Sequence, residues 1–328
     1  MLHKNVCKFI KNCGDFFFQN FSITEIFSNF AKCKYNRAFM ILLRYFVILI
    51  SVIIVATAAS AQSYIRLWQK PLDDYRKSAV RLYSYPAPDS TNNHAAIIFC
   101  PGGSYCYLAK KNEGHDPAKF FRDNYGFNTF VLIYRRGMRG NRYPSQIQDL
   151  QKAMRYVADH AQKFGIDTAK IGICGFSAGG HLVGTEAEYF DTDFVSDDGR
   201  PAPPKPFFAI MMYPVVSMQP DIGHWKSRRN LLGADFTQER RDSMSLELNV
   251  RRDMPPIYLI ACKDDPIVDY HNSERMSDAL DAKNVPYSYE LYETGGHGFG
   301  VNPSLIKSSN KDAASWHEDF MLWFRKRF

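Results

Sequence analysis

A doubly wound α/β fold, with a mostly parallel sheet and helices on both faces, is the class this sequence predicts. Three observations lead there. Short, almost continuously apolar runs recur along the chain, longer segments with helical periodicity separate them, and the alternation persists from Ala95 to the C-terminus. Continuous apolarity suits strands buried on both faces, whereas a half-exposed strand alternates polar and apolar residues. Strand, helix and strand in repetition then give a sheet covered on both sides.

The strands are expected at 95–100, 129–134, 170–174, 207–213, 257–262 and 287–292. Helical patterns fill 116–124, 145–164, 177–189, 273–283 and 312–326. In 145–164, Ile147, Leu150, Met154 and Val157 recur at three- and four-residue steps and give one apolar face. Residues 191–206, rich in Asp and Pro, and residues 216–236 have no hydrophobic period and read as loops rimming a site.

The first 61 residues stand outside this rhythm. Residues 44–61 form an apolar run closing on Ala59-Ser60-Ala61, the small-x-small ending that signal peptidase accepts. The expectation is a leader with a signal peptide over 1–61 and a single catalytic domain over 62–328, opening at Gln62 and secreted or periplasmic. The run is short of the about 20 apolar residues of a comfortable bilayer span. An uncleaved N-terminal anchor is the alternative, and would be the chain's one tie to a membrane. Met40, just ahead of the run, is an alternative start.

Most of the formal +7 charge lies in that leader. The remainder is near neutral, which argues against a polyanionic partner and against nucleic acid. Its four cysteines, Cys100, Cys106, Cys174 and Cys262, lack any C-x-x-C spacing, so no zinc site is expected. Three of them end strand-like runs, where cysteine serves as a small buried hydrophobe. Export leaves a Cys100–Cys106 disulfide open.

The strongest chemical signal is Gly175-Phe176-Ser177-Ala178-Gly179, directly after one apolar run and opening a helical pattern. A serine in a tight strand-to-helix turn projects its hydroxyl above the sheet, and flanking glycines let strand and helix close on it. Serine alone is a weak nucleophile and needs a base. His297 lies in the Gly-rich run 295–300 after the last strand, a setting that core packing does not explain, whereas His160, His181 and His317 lie in helical patterns. The orienting acid should follow a strand between the two. Asp264 and Asp265 both qualify, and Asp265 is preferred. Pro101-Gly102-Gly103-Ser104 follows the first strand. The amides of Gly103 and Ser104, with that of Ala178, are expected to form an oxyanion hole. No metal-ligand set, dinucleotide fingerprint or phosphate loop is present in the sequence, so no cofactor is expected.

Taken together, CPGGSY (100–105), FVLIYRR (130–136), YPSQIQDLQKAMRYV (143–157), IGICGFSAGGHL (171–182), YPVVSM (213–218), SRRNLLG (227–233), DDPIVD (264–269) and GGHGFG (295–300) carry a resemblance. They resemble α/β-hydrolase esterases related to acetylxylan esterases and bacterial feruloyl-esterase-like hydrolases, across essentially all of 62–328. The resemblance implies an α/β-hydrolase fold and a serine carboxylesterase acting on small acyl esters. It implies acetyl groups on a plant polysaccharide or oligosaccharide such as acetylated xylan. It also implies Asp265 as the acid, because the family's acid stands three residues before a valine, here Val268. The chain departs from the family at Ser104, where a third glycine is common, which leaves a displacement of that part of the oxyanion loop open. Tyr105, Tyr107 and Trp225 are expected near the mouth, as apolar faces for sugar rings.

Three other readings are less well supported. A peptidase of this fold usually carries a filtering domain, for which 62–328 leaves no room. A non-catalytic binding member typically lacks a triad residue, and all three are here. A glycosidase would need paired carboxylates flanking the sugar, which nothing in the sequence suggests.

Overall fold

The computed structural model describes residues 64–68, 79–137, 140–195 and 199–328, all within a compact unit, Ser63–Phe328. The expected leader and its cleavage point at Gln62 lie outside the described residues.

Eight strands form one sheet: β1 (Tyr64–Arg66), β2 (Arg81–Tyr85), β3 (Ala96–Cys100), β4 (Asn128–Ile133), β5 (Ile171–Phe176), β6 (Ala209–Met212), β7 (Ile257–Cys262) and β8 (Tyr287–Tyr292). Their order is β1-β2-β4-β3-β5-β6-β7-β8. Every neighbouring pair from β4 across to β8 is parallel, while β1 and β2 add an antiparallel edge. The six expected strands are all present. β1 and β2 were not expected, because both are partly exposed and lack a continuous apolar run.

The helices are α1 (Asp116–Tyr125), α2 (Ser145–Asp159), α3 (Ala161–Phe164), α4 (Ala178–Glu188), α5 (Trp225–Leu232), α6 (Gln238–Ser243), α7 (His271–Ala282) and α8 (Trp316–Arg327). Side-chain alternation along the strands divides the core into two layers. In β3, Ile97 and Phe99 join Phe121 of α1 and Trp316 and Phe320 of α8 in one layer. Ile98 and Cys100 join the other, with Leu150 and Met154 of α2, Leu182 of α4 and Met276 of α7. Leu150 is fully buried, so truncating it to alanine should cost about 2–5 kcal/mol.

The helix expected over 145–164 breaks at His160 into α2 and α3. The stretch expected to be irregular over 216–236 contains α5, whose sequence WKSRRNLL is too short and too charged to show a period. Cys100 is a buried thiol at the end of β3 and is not bridged to Cys106.

At the end of β4, the buried Arg135 guanidinium donates from Nε to both oxygens of Asp149 in α2, each at 3.0 Å. Trp68 Nε1 donates to the same carboxylate at 2.8 Å. This buried pair ties the first helix turns to the strand that precedes them and accounts for the arginine in the 130–136 motif.

Candidate active site

The C-terminal ends of β3, β5, β7 and β8 carry the loops that hold the expected site residues, on the sheet edge where open parallel sheets bind ligands. Ser177 joins β5 to α4 at φ 53° and ψ −119°, a conformation costing about 1–3 kcal/mol outside glycine. A Cβ on Gly175 would stand 2.0 Å from the Gly179 carbonyl oxygen, and one on Gly179 would stand 2.0 Å from that of Cys100. Close approach of strand, helix and oxyanion loop therefore requires both glycines. The Ser177 amide donates to the Met212 carbonyl at 2.9 Å, and the Val215 amide donates to the Ser177 carbonyl at 3.1 Å. These two bonds fix the strained turn against β6. Ser177 is 3% exposed.

His297 Nδ1 lies 2.6 Å from Asp265 Oδ2. The other oxygen of Asp265 accepts the amides of Ile267 at 2.8 Å and Val268 at 3.0 Å, which orients the carboxylate toward the ring. Asp264 turns the other way: its Oδ1 accepts the amides of Gly295 at 2.9 Å and Gly296 at 2.7 Å. Of the two neighbouring acids, Asp265 meets the imidazole and Asp264 holds the loop that presents it. The Tyr213 ring packs on the imidazole at 4.6 Å between centroids.

Gly102 lies against the serine, since a Cβ there would stand 2.8 Å from the Ser177 Cβ. Ser104 has φ 55°, the left-handed region that favours glycine. The serine here keeps that conformation, with Asn230 Nδ2 donating to the Ser104 carbonyl at 2.8 Å. Ala178 is the first residue of α4, where amides have no partner within the helix.

One expected mouth residue is elsewhere. Tyr105 is 1% exposed, and its hydroxyl meets His181 Nδ1 at 2.9 Å. It turns inward because its own φ is 57°, which folds the loop back on itself. Tyr107 and Trp225 are 54% and 62% exposed. His181 is structural: its Nε2 meets the Met244 carbonyl at 2.8 Å, and burial pushes the ring down to about 4, keeping it neutral.

Two residues of the site were not anticipated. Glu113 is buried between the loop of Gly102 and Tyr213. His224, half-buried, holds Ser227 Oγ at 2.8 Å through Nδ1. Burial and then the charge of His297 hold His224 below the usual histidine range. Neither lies in a pattern that marks chemistry in the sequence.

An elbow serine and an acid-paired histidine thus stand on one end of a sheet with the α/β-hydrolase fold. Residues 82–280 match the BD-FAE family, and the chain belongs to it. Residues 244–328 also match the Dienelactone hydrolase family. The chain is similar to endo-1,4-beta-xylanase B of Butyrivibrio fibrisolvens, 31% identical over 246 residues, covering 72% of this chain and 37% of that protein. It is likewise 31% identical over 209 residues to acetylxylan esterase of Xylanibacter ruminicola, covering 62% of this chain and 41% of that one. The chain thus spans only 37% and 41% of the length of these two curated relatives. Among solved structures it is similar to an acetyl ester-xyloside bifunctional hydrolase from Caldicellulosiruptor lactoaceticus. That match has 28% identity and a TM-score of 0.71, covering 81% of this chain and 96% of that one.

Proposed function

We propose that the protein is a serine carboxylesterase that removes short acyl groups, acetyl first, from a plant polysaccharide or oligosaccharide such as acetylated xylan. The observation that carries this reading is the 2.6 Å contact of Asp265 with His297, on the sheet edge that presents Ser177. Asp265 accepts the Nδ1 proton, leaving Nε2 of His297 to act as base. His297 takes the Ser177 hydroxyl proton as Oγ attacks the ester carbonyl carbon. The amides of Gly103, Ser104 and Ala178 receive the charge that develops on the carbonyl oxygen. The tetrahedral intermediate collapses, the C–O bond to the alcohol breaks, and His297 returns its proton to the departing alcohol. Water then attacks the acyl-enzyme, again giving its proton to His297, and the acid leaves with Ser177 restored.

The alcohol side rests on two supports. Relatives carry the names acetylxylan esterase and acetyl ester-xyloside hydrolase, and exposed Tyr107 and Trp225 offer flat apolar faces suited to sugar rings. The apolar run 44–61 supports export to a secreted or periplasmic location. Comparing acetyl, butyryl and octanoyl nitrophenyl esters, alongside acetate release from acetylated xylo-oligosaccharides, tests the substrate. Fastest turnover of acetyl esters and acetate release are expected. A preference for octanoyl, or simple esters cleaved with no sugar deacetylated, would overturn it.

A further inference from the structure

We infer that Glu113, which the ester mechanism above leaves unused, is a positioning residue that joins the oxyanion loop to the His297 loop and sets a second negative charge beside the imidazole. In its kinetic part this rests on the esterase reading. Glu113 sits in a single π-helical turn, Lys111–His115, and is 3% exposed. Its Oε2 accepts the Gly102 amide at 2.9 Å. Its Oε1 accepts the Tyr213 hydroxyl at 3.0 Å, and the Tyr213 oxygen accepts the Gly300 amide at 3.3 Å. One carboxylate therefore links the residue before Gly103 and Ser104 to the loop that carries His297.

The two loops also meet around this turn. A Cβ on Gly298 would stand 3.8 Å from Glu113 Oε1, and one on Gly300 would stand 2.0 Å from the Asn112 carbonyl oxygen. The turn is thus packed beneath the backbone on either side of Phe299.

Charge is the second half of the case. A lone buried carboxyl neutralises itself. Burial does raise Glu113, but the charge of His297, the Tyr213 hydroxyl and the Gly102 amide oppose that rise, while Asp265 adds to it. The two donors fall on two different oxygens, as suits an ionised, acceptor-only carboxylate. The other titratable groups that sense Glu113 are the buried phenol of Tyr134 and thiol of Cys174, both pushed up by burial and so neutral. His297 itself faces Asp265, Tyr213, Glu113 and His224. When it takes up the serine proton, Glu113 offsets part of the new charge and keeps the oxyanion amides in register.

Glu113→Gln in the full chain separates this from a merely structural role, because the amide keeps the shape and loses the charge. Nitrophenyl acetate hydrolysis is measured through pH. The acid limb of the rate profile should move toward lower pH, since a lost negative charge beside the base disfavours its protonated form. kcat should fall about 10- to 100-fold with KM changed less than about threefold. An acid limb that stays in place, or kcat within about threefold of wild type, would overturn the proposal. Should the variant not fold, the Glu113 side-chain carboxyl in the wild type must be ionised across the pH range of activity, read by NMR from its own chemical shift, and a neutral carboxyl there overturns the proposal equally. If the wild type cleaves no ester, the esterase reading fails, while the ionisation state of the Glu113 carboxyl still decides its role.

Discussion

Oδ2 of Asp265 lies 2.6 Å from Nδ1 of His297, while Oδ1 of the same residue is held by the amides of Ile267 and Val268. Asp265→Asn must keep its oxygen on those amides and turn its NH2 toward the ring, which selects the wrong tautomer. kcat should fall by about two to four orders of magnitude. Asp264→Asn retains an oxygen for the Gly295 and Gly296 amides, and should stay within about tenfold of wild type. Steady-state kinetics on nitrophenyl acetate checks the ranking, and the reverse order would assign the orienting role to Asp264.

His181 makes a prediction about stability. Its ring is held down at about 4 in the fold by burial, below its ordinary value of about 6.5 in an unfolded chain. Between those values the unfolded state binds the proton and the folded state does not, so stability is full above about 6.5 and is lost as pH falls toward 4. The loss amounts to about 3 kcal/mol at most. Urea unfolding at pH 7, 5.5 and 4 should show a shallower decline in His181→Gln than in wild type, and parallel slopes would contradict it.

Tyr107 and Trp225 should matter for sugars and not for chemistry. Replacing either with alanine should raise KM for acetylated xylo-oligosaccharides by about 5- to 30-fold, in line with about 1–2 kcal/mol for an aromatic face. Nitrophenyl acetate kinetics should hardly change. Equal effects on both substrates would mean that these rings only pack the loops.

The proposed export predicts a particular N-terminus. Sequencing the protein from a secreted or periplasmic fraction should find Gln62 first, from the Ala59-Ser60-Ala61 ending. Recovery in the membrane fraction with the 44–61 run intact would support an anchor.

How much of this the sequence carried varies with the physics of each element. Strands β3, β4, β5 and β7 are buried along their whole length, so their apolar runs stand out. β2 is half-exposed and pairs at the antiparallel edge, where RLYSY reads like a loop. Ser177 was legible because steric demands at Gly175 and Gly179 leave a mark in the sequence. Asp264 and Asp265 were not separable by residue type, since the same side chain can hold either a ring or two amides. Glu113 and His224 were invisible for a different reason: each reaches the site through a contact distant in sequence, as Glu113 does with Tyr213. Tyr105 was misplaced because its left-handed backbone, not its position after the oxyanion loop, sends the ring inward.

The most direct measurement is the turnover of nitrophenyl acetate by Ser177→Ala beside wild type, with the thermal unfolding of both recorded. The hydroxyl sits in a turn whose backbone bonds to Met212 and Val215 do not involve it, so the variant should unfold as wild type does. Its kcat should drop to below about a thousandth of wild type, because removing the nucleophile of such a unit leaves only what binding and the oxyanion amides supply. A well-folded variant with kcat above about a thousandth of wild type would contradict Ser177 as the nucleophile.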